Sequence, residues 1–367
     1  MFNLLQKAIS TLRREGISSA VNKTTNRFKA WKLAQSTDLT SQKVKWEKLK
    51  DKYKGERVFL IGNGPSLNKT PLYLLKDEYK MCFNRFHIML ERLNWQPDFF
   101  LTSDNLVLSD LVKEFDEIIP KTTYSFFPGI HFRGYNFISE IEKFDNAFWT
   151  IQKMGKGFST DLPNIYPGGS VIYEGFQILK YLGFDEVYLL GVDMNYKVHT
   201  TAKMLEKKGI DIQSQDDDDP NHFDPRYFGK DKKYHQPEKF VIDNTIKDLE
   251  YLANSVTDDN FSIVNAGYDS KLSCFPKTDL LEVLKKSDEV VETLFSDLFE
   301  RVAKEQDLSL KFENLPLVQL DSIEIDALSS FKIDSSKGIG EISKLIFKFI
   351  PLGPYKGHYY FIKRKDI

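Results

Sequence analysis

The chain has 367 residues, 41% of them hydrophobic and 28% charged, which is room for about two domains of roughly 150 residues and for a core that needs no covalent staples. A disulfide miniprotein, a collagen-like fibre and a wholly disordered chain are excluded. A net charge of −2 leaves no global basic field for nucleic acid, and Cys82 and Cys274, far apart and in no C-x-x-C, suit a reducing cytosol better than a zinc or disulfide framework.

Residues 1–51 read as a basic amphipathic extension: Phe2, Leu4, Leu5, Ile9 and Leu12 fall on one helix face with Lys and Arg between them. No run of 18 apolar residues and no uninterrupted signal-peptide core occurs, so neither a membrane span nor a leader is expected. Charge is uneven, with a balance of +8 over residues 1–50, +4 over 341–367 and −14 in between. Basic ends interleaved with Phe, Leu, Ile and Tyr either pack as solvated helices or lie on anionic lipid, which gives a cytoplasmic protein that can sit peripherally on the inner face of the membrane.

Regular patterning begins near residue 56. ERVFLIGNGPSL predicts a buried strand running into a Gly-rich turn and a helix start; YKMCFN (79–84) and PDFFLTSD (97–104) are further strands, with DEIIP (116–120) and NAFWTI (146–151) as shorter apolar runs. GGSVIYEGFQILKYLGF is a helix with Ser170 as N-cap and Gly183 as C-cap, followed by the strand DEVYLLGVD (185–193). A polar stretch from about 195 to 236 is too long for a plain connector. An amphipathic helix (237–256) and a last strand, FSIVNA (261–266), complete the pattern. Strands that are continuously apolar and alternate with helices imply an α/β domain over 52–285, a Rossmann-like, mostly parallel sheet covered by helices on both faces. From 286 to 367 the sequence turns helical and charged and ends in a basic aromatic tail.

Ligands of open α/β sheets bind beyond the carboxyl ends of the strands, and three such ends are unusually polar here. They are Gly62-Asn63-Gly64-Pro65-Ser66, Asn84-Arg85 and Ser103-Asp104-Asn105. The first is no dinucleotide fingerprint, because Leu67 replaces the third glycine and Asn84 stands where an acid would hold a ribose; no P-loop exists either. Gly169-Ser170 opens a second Gly-rich helix start, and Asp193, near Tyr196, closes a strand where a site acid or a turn-capping Asp would stand. The polar stretch holds Asp216 to Asp219, then Asn221-His222-Phe223-Asp224-Pro225-Arg226, and His235. Histidine suits proton transfer near neutral pH, Arg226 suits phosphate, and the four-Asp run reads best as a solvated loop.

The order GNGPSL, CFNRF, a polar third strand end, GGSVIYEGFQILKYLGFDEVYLLGVD and a later His-containing loop resembles two related families. One is the bacterial sialyltransferases that use CMP-sialic acid, glycosyltransferase family 42. The other is the MptE-like group, domain of unknown function 115, named for an archaeal 6-hydroxymethylpterin diphosphokinase and including accessory proteins of flagellin glycosylation. The resemblance covers about residues 52–285. It implies a Rossmann-like nucleotide-binding domain. By the resemblance, Asn63, Asn84, Gly169 and Ser170 would hold the nucleotide, Tyr196 would stand near its phosphate and His222, or His235 in its place, would take the acceptor proton; Gly62, Gly64, Ser66, Ser103 and Arg226 join the nucleotide site by their own placement, and Asp104 and Asp193, in pocket-facing positions, depart from the family's pattern. The activity implied is sugar transfer, from a CMP-linked, sialic-acid-like donor to a surface glycan acceptor, with no tightly bound cofactor and no metal. The alternative is ATP-dependent diphosphate transfer, in which Asp104 and Asp193 would hold Mg²⁺; a non-catalytic nucleotide-binding accessory protein is the third reading. A homo-oligomer is compatible with each.

Overall fold

Continuous apolar runs become strands with a covered face on each side. In the computed structural model, which describes residues 17–70, 72–93, 95–205, 211–235, 239–258, 260–268 and 270–284 and two strands in the C-terminal tail, helices α1 (Ile17–Ser36) and α2 (Thr40–Glu47) precede β1 (Arg57–Ile61), β2 (Tyr79–Phe83) and β3 (Phe99–Leu101). Helix α3 (Asn105–Leu111), β4 (Tyr124–Ile130), β5 (Ala147–Gln152) and β6 (Asn164–Ile165) follow. Then come α4 (Val171–Leu182), β7 (Glu186–Leu190), the short β8 (Lys203–Met204), β9 (Asp211–Gln213) and β10 (Lys233–His235), α5 (Lys239–Ser255) and β11 (Ser262–Asn265).

Eight strands form one sheet in the order β11-β7-β1-β2-β3-β4-β5-β6, every pair parallel. The chain steps outward from β1 to β6, returns through α4, and lays β7 on the other side of β1. The sheet therefore reverses its direction of growth between β1 and β7, the place where α/β sheets open a crevice. Side chains alternate between two cores: Phe59, Ile61, Cys82 and Phe100 on one face, Val58, Leu60, Met81, Phe83, Phe99 and Leu101 on the other. This is the Rossmann-like α/β fold read from the sequence.

Two elements differ from the sequence reading. DEIIP is not a strand; Phe115–Ile118 is a helical turn continued by Ile119–Lys121. The strand here is β4, beginning at Tyr124, whose apolar run is disguised by Pro128 and Gly129. Proline is tolerated because the register slips between Pro128 and Ile130, a bulge that relieves the missing donor. The turn after β1 is also shorter than a helix start: Pro65–Lys69 is five residues of 3-10 helix.

Within the stretch drawn as the N-terminal extension at 1–51, α1 and α2 pack on the domain, α1 through Ala30 and α2 through Trp46. Trp46 is fully buried, stacks on Phe126 at 5.3 Å, and donates through Nε1 to the Trp149 carbonyl at 3.1 Å, beside Gln42 Nε2 on the same oxygen. The amphipathic stretch before residue 17 and the charged helical stretch after 286 lie outside the described residues. In the basic aromatic tail, Leu345–Phe349 and Tyr359–Lys363 pair as an antiparallel two-stranded sheet. No helix among the described residues is long and apolar enough to cross a membrane.

Trp46→Ala should remove a large buried ring and its hydrogen bond together. The expected loss is about 3–5 kcal/mol of unfolding free energy in urea melts, far more than a peripheral helix would give.

Candidate active site at the switch point

A cleft opens beyond the carboxyl ends of β1, β2 and β7. Its floor is Gly62-Asn63-Gly64-Pro65 and Phe83-Asn84; one wall is Gly191 to Tyr196, another the start of α4 at Ser170-Val171-Ile172; Asn221, His222 and Tyr227 close it. Residues from five separated stretches thus meet at the point where the strand order reverses.

The turn after β1 is held by a carboxylate. Ser66 donates to Asp193 through its backbone N–H at 2.9 Å and through its hydroxyl. Gly64 N–H donates to the Gly191 carbonyl at 2.8 Å. A Cβ on Gly64 would stand 2.4 Å from the Asp193 carboxyl, so glycine is required there. Asp193 lines the cleft while capping the turn across the sheet; Ser66, its partner, lies behind the lining.

Asn63 Nδ2 donates to the Phe83 carbonyl at 3.2 Å, which turns Oδ1 away from it. That oxygen and Asn84 Oδ1 are buried with no hydrogen-bond partner among the described residues. Asn84 is held at φ +53, in the left-handed region. Two adjacent buried acceptors without donors are costly unless a ligand supplies them. Ser170 has N-cap geometry but its side chain makes no capping bond, and Ser170, Val171 and Ile172, the start of α4, line the cleft.

His222 is fixed on both sides. Its Nδ1 is 2.7 Å from Asp219 Oδ2, and its ring stacks on Tyr227 at 3.9 Å and 4°. The Asp219 side chain is 1% exposed and accepts backbone N–H groups from Asn221 at 2.8 Å and Phe228 at 3.1 Å. The loop is nailed to the floor by the next residue. Phe223 N–H donates to the Asn63 carbonyl, the Phe223 carbonyl accepts from Asn68 Nδ2, and its ring packs on Phe86. Tyr227, also buried, is bonded at its hydroxyl by Asn84 and the Arg85 backbone, and burial pushes its pKa far up. A buried carboxylate on Nδ1 leaves Nε2 as the imidazole's working nitrogen.

Of the residues proposed from sequence, Gly62, Asn63, Gly64, Asn84, Ser170, Asp193, Tyr196 and His222 line the cleft. The others do not. Gly169 is a packing glycine whose carbonyl accepts from Thr245 Oγ1 at 2.9 Å, leaving no room for a side chain. Arg226 is forked onto Asp224, Nε to Oδ1 at 3.0 Å and Nη2 to Oδ2 at 2.8 Å, so Asp224 orients the arginine rather than His222. Asp104 caps α3 through Leu106 and Val107 N–H, and Ser103 bonds the buried Glu174. His235 sits over β3 and β4: Nδ1 is 2.6 Å from Asp211, Nε2 is 2.9 Å from Arg133 Nη1 and 3.5 Å from Asp104. The carboxylates assigned to Mg²⁺, Asp104 and Asp193, therefore do not converge on the cleft, and no group of three or more metal-ligating side chains forms among the described residues. Asp219, the residue that orients His222, was hidden in the four-Asp run; its only signal was its place three residues before a histidine.

Beside the cleft, α4 buries a carboxyl group. Glu174 is fully buried, and its Oε1 accepts from Gln152 Nε2 at 2.7 Å. Desolvation raises its pKa to about 8, so the group is neutral at pH 7.

Residues 34–199 match the family described as 6-hydroxymethylpterin diphosphokinase MptE-like, so the resemblance to the MptE-like group holds over the strands that build the cleft. The matched segment ends before the loop that carries His222. Similar solved structures are the Maf glycosyltransferase from Magnetospirillum magneticum AMB-1 and the sialyltransferase CstII from Campylobacter jejuni. The first shows 14% identity and TM-score 0.40 over 72% of this chain and 43% of that one, so the match spans under half of that protein. CstII with a substrate analogue, cytidine-5'-monophosphate, shows 15% identity and TM-score 0.35 over 61% of this chain and 85% of that one. CstII with a trisaccharide acceptor and CMP shows 16% and 0.33 over 60% and 85%. No curated protein sequence matches the chain.

A raised folded-state pKa sets the sign of a pH effect. Glu174 is protonated in folded and unfolded chains below about pH 4.5 and costs nothing there; above that the unfolded chain ionises first and stability falls until pH passes about 8. Glu174→Gln removes this loss. Its melting temperature should gain on the parent steadily from pH 5 to pH 8, by at most about 1.4 kcal/mol of stability per pH unit. A constant offset across that window would show that Glu174 is ionised in the fold.

Proposed function

We propose that the protein is a glycosyltransferase that moves a sugar from a nucleotide donor, CMP-linked and sialic-acid-like, to the hydroxyl of a surface glycan, acting in the cytoplasm. The observation that carries this reading is His222 on the cleft wall with Nδ1 engaged by the buried Asp219. Such an imidazole can take the proton of an acceptor hydroxyl at Nε2 as the new bond forms, while Asp219 stabilises the imidazolium.

The rest of the cleft fits the donor. The unpartnered oxygens of Asn63 and Asn84 suit N–H or O–H donors, such as the amine of cytosine and ribose hydroxyls. The first turn of α4 and Ser170 suit one phosphate. No Lys or Arg is among the lining residues, whereas Asp193 is. A CMP-sugar, with one phosphodiester charge, suits that balance better than a nucleoside di- or triphosphate. Tyr196 stands on the same wall as Asp193 and can donate to the departing phosphate.

The family match favours a second reading, diphosphate transfer from ATP to a hydroxymethyl pterin. That chemistry relies on a metal and positioned charge, and the carboxylates it would use are the divided pair Asp104 and Asp193.

A thermal-shift panel of CMP, CDP, UDP, GDP and ATP, each with and without Mg²⁺, separates the two. Selective, metal-independent stabilisation by CMP is expected; a shift by ATP that requires Mg²⁺ favours diphosphate transfer. Asn63→Ala and Asn84→Ala should each weaken CMP binding by about 1–3 kcal/mol in calorimetry while remaining folded.

Catalysis is tested by CMP release from a CMP-sialic acid donor with a panel of glycan acceptors. His222→Ala should keep nucleotide affinity within about threefold and lose at least ~10²-fold in kcat. Asp219→Asn should lose at least ~10-fold, and His235→Ala should stay near the parent. Transfer that survives both His222 and Asp219 substitutions would remove the general base from this loop.

A further inference from the structure

Helix α1 has one face on the protein and another with no partner among the described residues. Ala30 is buried, and Leu33 and Ala34 pack beside it against the sheet's core. On the opposite side Val21, Phe28 and Trp31 are 56%, 62% and 58% exposed, and the rings of Phe28 and Trp31 stack at 5.7 Å. Spacings of seven and three put all three on one stripe. Arg27 borders the stripe on one side, Lys29 and Lys32 on the other, within a segment of net charge +8 over residues 1–50.

We propose that this face of α1 docks the protein on an anionic lipid surface, with Phe28 and Trp31 seated at the headgroup boundary and the flanking cations on lipid phosphates. Charge complementarity selects lipid over a second copy of the chain. Two copies would bring like-charged faces together, whereas an anionic bilayer meets apolar rings and cations at once. An aromatic ring at the headgroup level keeps its apolar body in the acyl boundary, which explains why a soluble domain carries two stacked rings outward. The proposal rests on neither reading of the cleft.

The molecule carries its own reporter. Of its four tryptophans, Trp46, Trp95 and Trp149 are 0%, 6% and 1% exposed, so Trp31 alone meets solvent. Full-length protein is titrated with vesicles of phosphatidylcholine alone and of phosphatidylcholine mixed with phosphatidylglycerol, while emission and acrylamide quenching are followed. Blue-shifted emission and loss of quenching are expected with the anionic vesicles, little change with the zwitterionic ones, and reversal at high salt. Phe28→Glu, which leaves the reporter in place, should weaken vesicle binding at least about tenfold. Lys29→Ala with Lys32→Ala should weaken it about 30-fold. Three results would each overturn the proposal: no sedimentation with anionic vesicles, sedimentation with Trp31 still fully quenchable, or quencher protection without lipid together with a dimer by light scattering.

Discussion

The hydrogen bonds from Ser66 to the Asp193 carboxylate join the two halves of the sheet where its growth reverses. Everything that makes the cleft hangs on that junction. The turn after β1 and the end of β7 belong to stretches more than a hundred residues apart, and past the strand ends the Gly64–Gly191 backbone bond and this carboxylate hold their loops together. The carboxylate supplies two acceptors to a turn that would otherwise leave Ser66 N–H unsatisfied. Gly64 gives the space for it, since any side chain would occupy the carboxyl group's position. With the turn fixed, the Asn63 carbonyl accepts from the Phe223 N–H, and the loop that carries His222 has a floor to bind.

That floor turns a long polar segment into a rigid one. Residues 211–235 contain four consecutive aspartates and carry little hydrophobic sequence, the composition of a solvated loop. Within it, Phe223, Tyr227 and Tyr234 are buried, and Asp219 and Asp224 are spent on local work: one on His222 and two backbone amides, the other on Arg226. Strands β8 to β10 form their own antiparallel sheet, which fixes both ends of the segment. His222 therefore need not swing into place. Its orientation is prepaid by the stacking of Tyr227 and the buried carboxylate, the arrangement that general-base chemistry needs.

The parts legible in the sequence were those with a short-range signature. Continuous apolar runs announced β1, β2 and β7; Ser170 and Gly183 bracketed α4, with Gly183 at φ +91 and its N–H on the Leu179 and Lys180 carbonyls. The Gly-Asn-Gly turn and Asn84 were found because strand ends in α/β sheets carry function. Illegible were features decided by distant partners. A bulge hid β4 behind Pro128. Asp104 and Asp193 looked equivalent as polar residues after strands, yet one caps its own helix and the other crosses to a neighbouring turn. Arg226 looked like a phosphate ligand because its fork onto Asp224, two residues away, cannot be told from an open guanidinium by sequence alone. Asp219 could not be singled out from Asp216, Asp217 and Asp218 until the loop's path was known.

Charge then decides what the cleft is suited to hold. A metal-dependent diphosphate site gathers carboxylates around the phosphates and relies on the ion to reverse their repulsion. Here the carboxylates are separated: Asp104 on α3, Asp193 tied to Ser66, Asp219 behind His222 and Glu174 buried as the neutral acid. What faces the ligand is mostly neutral: amide oxygens, hydroxyls, backbone N–H groups and an imidazole. Neutral donors at a helix start compensate about half a charge, enough to favour a single phosphodiester but too little for several phosphate charges side by side.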